Sequence, residues 1–187
     1  VRAAAIAKLG EYKKADYIAL FKNAVNDSSY SVAGNALVAL GKVDQALATA
    51  LAKQLSDKPA KGNLQEAIMN EIVKSGDETM AEKIIGGFAK MPISQEKFQS
   101  LGPLSSYLSV IKSIEKIRWG VDEIVKFRDG IPEGFRNQTD PYINGMILKG
   151  LLAKKEKEAK ENSSNAALQE LANYIKSKLP EEDKKGF

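Results

Sequence analysis

The chain has 187 residues, with 28 Lys and Arg against 24 Asp and Glu for a net charge of +4, and neither His nor Cys. Without His there is no Ser-His-Asp triad, no H-E-x-x-H zinc helix and no imidazole acid–base chemistry. Without Cys there is no thiol nucleophile, thiolate metal site or disulfide. The chain itself is therefore expected to be no enzyme, with no cofactor of its own. Positive charge is spread evenly: residues 1–90 carry 12 basic and 10 acidic groups, and residues 91–187 carry 16 and 14. A nucleic-acid face needs clustered cations, so this pattern counts against one.

In chain order, apolar residues recur at helical spacing almost throughout. Val1-Arg2-Ala3-Ala4-Ala5-Ile6-Ala7-Lys8-Leu9-Gly10 opens as a helix already under way, as expected of a piece of a longer protein. Tyr17, Leu20, Phe21 and Ala24 form the next stripe, followed by Leu47, Leu51 and Leu55, and then Leu64, Ile68 and Ile72. Ala81, Ile84, Ile85 and Phe88 continue it. Later stripes are Leu104/Tyr107/Leu108/Ile111, Ile143/Met146/Ile147/Leu151 and Leu168/Leu171/Ile175/Leu179. Each buries one helix face and leaves Lys, Glu and Gln outside. Helices are expected at about 2–9, 16–26, 30–40, 44–56, 63–75, 78–90, 104–118, 120–128, 140–161 and 164–179. Asp16, Asp44, Asn63 and Asp140 stand at N-cap positions, and Gly10, Gly41 and Gly76 at C-cap positions. No apolar run approaches the ~18–20 residues of a membrane span.

The first part repeats. Leu9-Gly10 returns 31 residues later as Leu40-Gly41, and the same offset relates Ile6 to Leu37 and Leu20 to Leu51. Val73 to Gly76 is a looser third instance. Each unit is an Ala-rich helix, a Gly, a short loop and a second amphipathic helix, and one such pair cannot bury its own apolar face. The expected fold is all-α: HEAT/ARM-like stacked antiparallel helix pairs in an α–α superhelix. The chain 1–187 reads as one helical-repeat domain, with clearer pairs over 1–91 and longer, irregular helices over 92–187. Ala3, Ala4, Ala7, Ala33, Ala36 and Ala39 would let the helices approach closely.

Phe21-Lys22-Asn23-Ala24-Val25-Asn26-Asp27-Ser28-Ser29-Tyr30-Ser31-Val32 and Ala36-Leu37-Val38-Ala39-Leu40, with the opening ten residues, carry a more specific signal. Over residues 1–56 the chain resembles the HEAT-like stretch near the C-terminus of zinc metallopeptidases of the alanyl aminopeptidase (aminopeptidase N) family, bacterial members especially. Residues 57–179 agree only in being helical. The resemblance implies a non-catalytic accessory domain that closes over the catalytic cleft and limits which peptides enter. Zinc would then belong to an upstream domain of the same polypeptide, the direct partner, with peptide substrate an indirect one. None of the family's catalytic motifs occurs here, so none of its catalytic residues is carried over. A stand-alone HEAT-like protein-binding scaffold is the alternative.

Candidate chemistry is sparse. Ser-x-x-Lys occurs at Ser94/Lys97, Ser109/Lys112 and Ser113/Lys116, without the companion motifs of penicillin-recognising enzymes. Gly145 and Gly150 lie in a helical pattern, where close packing is expected rather than a phosphate loop. The run from Lys154 to Glu161 reads as a solvated face. Asp122/Glu123 and Glu181/Glu182/Asp183 read as solvated carboxylates. The unusual stretch is 118–142, which holds three of the four Arg and the only Trp. Arg118, Trp119, Arg128, Phe135, Arg136 and Tyr142 are the candidate interface residues, because Arg and aromatics dominate binding hot spots. In the competing reading, Trp119 and Phe135 cap the core while Arg pairs with Asp122 or Asp129.

Overall fold

The structure, a computed structural model, describes residues 1–162 and 164–184. All regular structure among the described residues is helical, and the helices pack on one another in an all-α fold. Two compact units divide the chain, one spanning Val1–Gly76 and the other beginning at Asp77.

The first unit holds α1 (Arg2–Glu11), α2 (Ile18–Ala24), α3 (Tyr30–Val43), α4 (Gln45–Leu55) and α5 (Gly62–Ser75). Asp44 caps α4 by accepting the Leu47 N–H at 2.9 Å. Gly76 ends α5 in the left-handed conformation at φ +61°, where a side chain would be strained. The other expected caps act differently. Asp16 lies inside a 3-10 turn, Ala15–Tyr17, and Asn63 lies within the first turn of α5. Gly10 and Gly41 lie inside α1 and α3 and serve close approach. A Cβ on Gly10 would come 2.6 Å from the Ala39 methyl, and one on Gly41 2.6 Å from the Glu71 carboxylate.

These contacts set the arrangement. The C-terminal turn of α1 meets the later part of α3, while Asn35 Nδ2 donates to the Ala3 carbonyl near both N-termini, at 2.9 Å. Gly34 abuts Asn63 and Leu64 at the start of α5, and Gly41 abuts Glu71 towards its end. Helices α1, α3 and α5 are therefore parallel neighbours, with α2 packed on α3 and α4 on α3 and α5. Helix α3 sits in the middle and buries Val32, Ala33, Gly34, Ala36, Leu37, Ala39 and Leu40. An apolar surface on nearly every side is what a central helix requires. Ala4 and Ala7, expected at helix contacts, are exposed on α1.

The second unit starts with a 3-10 turn (Glu78–Met80), a π-helical turn (Glu82–Gly86) and α6 (Gly87–Lys90). It continues with α7 (Gln95–Gln99), α8 (Leu101–Val110), α9 (Ile114–Gly130) and α10 (Glu133–Asp140). A π-helical stretch, Pro141–Leu148, runs into α11 (Lys149–Glu161), and α12 (Ala166–Ser177) packs back on α9 and α11. The break expected near Trp119 falls instead at Ile111–Ser113. There the Glu78 carboxylate accepts the N–H groups of Lys112 and Ser113, both at 2.8 Å, and Ser113 caps α9. Gly120 stays inside α9 because the Leu108 side chain of α8 occupies the space a Cβ would need. Residues 129–140, expected as an irregular connector, form the end of α9 and α10. The helix continues through Asp140-Pro141, and the wider π register begins at Pro141, the residue with no N–H for the α ladder.

Candidate functional site

The six candidate residues divide between two places. Helix rise puts Arg118 and Trp119 about 15 Å along α9 from Arg128. At the far end of α9, Arg128 has a side chain only 14% exposed. Its Nε donates to Asp129 Oδ1 at 2.8 Å, and its Nη1 donates to Asn144 Oδ1 at 3.0 Å and to the Lys178 carbonyl at 2.9 Å. One guanidinium thus ties α9 to the π stretch and to the end of α12. Arg136 donates from Nε to the Ile131 carbonyl at 3.0 Å and from Nη2 to the Asp129 carbonyl at 2.9 Å. These carbonyls lie where the helix ladder has run out, so Arg136 acts as a C-terminal cap. The Tyr142 ring leans on Phe98 at 5.1 Å. Phe135 is 60% exposed.

At the other end, Trp119 is half-buried and Arg118 faces α12. The Arg118 guanidinium lies 4.9 Å over the Tyr174 ring, with the Glu170 carboxylate at 4.0 Å. Tyr174 donates its hydroxyl to Asp122 Oδ1 at 2.5 Å, and Lys178 pairs with the same oxygen at 2.9 Å. Burial by itself would raise the Asp122 carboxyl. The Tyr174 hydroxyl and Lys178 outweigh it and hold the group below its ordinary value. Burial and the hydrogen bond to Asp122 push the Tyr174 phenol up.

The motif serines and lysines do helix work. Ser94 Oγ accepts the Lys97 backbone N–H and Ser113 Oγ accepts that of Lys116, so two of the three Ser-x-x-Lys matches are N-caps. The Lys97 amine points elsewhere, donating to the Met91 carbonyl at 2.9 Å beneath the Phe88 ring. Burial lowers its pKa, against an opposing pull from Glu123. Lys116 reaches Glu78, and Ser109 receives Lys154. Gly145 and Gly150 are exposed, with open space where a Cβ would stand, so helix packing does not account for them.

Besides Lys97 and Glu123, three more buried polar groups escaped the periodicity argument. Lys155, read as part of a solvated run, is 1% exposed. Its amine donates to the Ser109 and Ile111 carbonyls at the end of α8 and pairs with Glu158 at 3.0 Å. Glu71 is fully buried between Gln45 Nε2 at 2.6 Å and Lys74 Nζ at 2.8 Å. Asn144 is buried against Arg128. The available sequence signal was position: Glu71 follows Ile68 by three residues and Lys155 follows Leu151 by four, so each falls on the buried side of its helix. Glu123, read as a solvated carboxylate, is instead buried beside Lys126, while Asp122 stays partly exposed. Among the described residues, no group of three or more acidic side chains could hold a metal ion. No described helix is long and apolar enough to cross a membrane.

The chemistry of this surface is mostly internal: cations satisfy helix-end carbonyls, and aromatics stack on neighbours. Comparison with known proteins finds no matching family model, no matching curated protein and no matching solved structure.

Proposed function

We propose that the chain is a non-catalytic C-terminal accessory domain of an aminopeptidase-like zinc metallopeptidase, built as HEAT-like stacked helix pairs. Its role is to cover the catalytic cleft and shape peptide access. The observation that carries the reading is the parallel stack α1–α3–α5, in which each Leu-Gly end receives the next helix. Helices α1 and α3 of that stack lie within residues 1–56, which carry the resemblance to that family. The donor set of this chain does not suit zinc: it has no His or Cys, and the buried carboxylates Glu71 and Glu123 are held by Lys74 and Lys126. In this reading zinc belongs to an upstream catalytic domain, the direct partner, and peptide is met only through the cleft.

Antibody raised against the 187-residue chain tests this on the natural product in source cells. The expected capture is a polypeptide several times longer, which hydrolyses aminoacyl-anilides, loses activity to a chelator and regains it with zinc. Capture of a chain of about this length without that activity replaces the reading with a stand-alone protein-binding scaffold.

A further inference from the structure

Two dipeptides in this chain are prone to spontaneous rearrangement, and one guanidinium holds both. The side-chain carbonyl of an Asn or Asp followed by Gly is open to attack by the Gly backbone nitrogen, because Gly has no Cβ to hinder the approach. The chain contains one Asn-Gly pair, Asn144-Gly145, and one Asp-Gly pair, Asp129-Gly130. They stand on different elements, the π stretch and the end of α9. Arg128 reaches the side chain of each. Its Nη1 donates to Asn144 Oδ1 at 3.0 Å, and its Nε donates to Asp129 Oδ1 at 2.8 Å.

Asn144 is the more closely held of the two. It is 3% exposed, and its backbone carbonyl accepts the Lys149 N–H. Cyclisation requires the side-chain carbonyl carbon to swing over the Gly145 nitrogen. The helical peptide and the bond to Arg128 both oppose that rotation. Gly145 itself is exposed, with open space beside it, so water stands next to the site once the amide is released. Arg128 Nη1 also donates to the Lys178 carbonyl at 2.9 Å, so docking of the end of α12 and restraint of Asn144 share one nitrogen.

We propose that Asn144 is a site of spontaneous deamidation whose rate is set by Arg128. In the first step the Gly145 nitrogen bonds to the Asn144 side-chain carbonyl carbon and gives up its proton. The bond from that carbon to the amide nitrogen breaks, and ammonia leaves with the proton. Water then opens the cyclic imide to aspartate or isoaspartate, and nothing is oxidised or reduced. The isoaspartate product lengthens the backbone by one methylene, which the helical ladder through 141–161 does not accommodate. The inference is independent of the peptidase reading.

Ageing the 187-residue chain at mildly alkaline pH, below its unfolding midpoint, tests it. Peptide mapping by mass spectrometry reads residue 144, and isoaspartyl methyltransferase reads the isomer. Asn144 should persist in the folded chain and convert in the same chain unfolded in urea. Arg128→Ala, while still folded, should convert at least about tenfold faster than the parent. Arg128→Lys keeps the stem and charge without the fork; it should also convert faster, and it stands in if Arg128→Ala does not fold. Lys155→Ala is the control, because it weakens the same unit through the end of α8 and leaves the Asn144 bond in place. Equal conversion in the folded and unfolded parent overturns the inference, since no protection then exists. Equal acceleration by Lys155→Ala and the Arg128 variant also overturns it, because the rate then follows overall stability and not the bond from Arg128.

Discussion

Replacing Gly34 with Ala separates packing from helix propensity. Ala is favoured over Gly inside a helix by about 1 kcal/mol, so propensity alone predicts stabilisation. The structure predicts the reverse. A methyl at residue 34 would stand 2.5 Å from the Asn63 carbonyl oxygen, 2.6 Å from its carbon and 2.8 Å from Leu64 N. All three are backbone atoms, so no rotamer change relieves the overlap. The start of α5 would have to withdraw by roughly 1 Å to reach ordinary contact, and such overpacking costs about 1–3 kcal/mol. Because the obstructing atoms are backbone, the cost falls in the upper part of that range, about 2–3 kcal/mol, and after the propensity gain Gly34→Ala should destabilise by about 1–2 kcal/mol. Gly150→Ala is the control, because it lies in α11 with nothing within 4 Å of the new methyl. It should stabilise by about 0.5–1 kcal/mol. Urea unfolding followed by far-ultraviolet circular dichroism should place the two midpoints on opposite sides of the parent. A Gly34→Ala chain as stable as the parent or more so would refute the close approach of α3 and α5.

Other substitutions probe the second unit. Arg128→Ala leaves Asn144 Oδ1 and the Lys178 carbonyl without their donor and should cost about 2–3 kcal/mol in urea titration, whereas an exposed-site Arg would cost under about 0.5. Lys155→Ala removes the donor to the end of α8 and the packed stem, and should cost about 2–4 kcal/mol; a neutral result would return Lys155 to the solvated surface. The Lys112 N–H, with further help from Ser113 and Lys116, holds the Glu78 carboxyl below its ordinary 4.5 despite burial. Its contribution to stability is therefore complete above that value and is lost as pH falls through the lower folded value. Glu78→Gln should flatten this part of the acid limb of stability against pH, and an unchanged limb would remove Glu78 from the account. Burial, assisted by the Glu78 charge, pushes the Tyr107 phenol up to about 12. Ultraviolet titration of the folded chain should show a late-ionising tyrosine that disappears in Tyr107→Phe.

Much of the fold follows from local chemistry. A stripe of apolar residues at helical spacing has one low-energy use, which is to bury one side of a helix, so the all-α class could be read from Leu64/Ile68/Ile72 or Leu171/Ile175. Asp44 and Gly76 act through their own backbone neighbourhood, and both keep their expected cap roles. The 31-residue recurrence of Leu-Gly likewise marks a repeated interface through spacing alone. What it does not disclose is which side of each helix the Gly serves. Gly41 was legible as a C-cap, yet it lies inside α3 because Glu71 approaches from another helix.

The remaining choices depend on partners distant in sequence. Arg128 and Arg136 stood out by composition, but composition does not state whether a guanidinium faces water or a helix end. That was decided by the Asp129, Ile131 and Lys178 carbonyls, which only the packing of α9, α10 and α12 brings within reach. Lys155 was the reverse case, a charge in a solvated-looking run drawn inward by the Ser109 and Ile111 carbonyls. Residues 129–140 read as a connector because Pro and Gly interrupt the pattern; there Arg136 closes α9, and just beyond it the π register absorbs the N–H that Pro141 lacks. By itself the sequence determined the helical class, the repeat and the absence of His and Cys chemistry, because these are properties of residue type and spacing. The tertiary structure alone decided which charges became internal caps, because a backbone carbonyl freed at the end of one helix takes its donor from whichever side chain the packing of another helix places beside it.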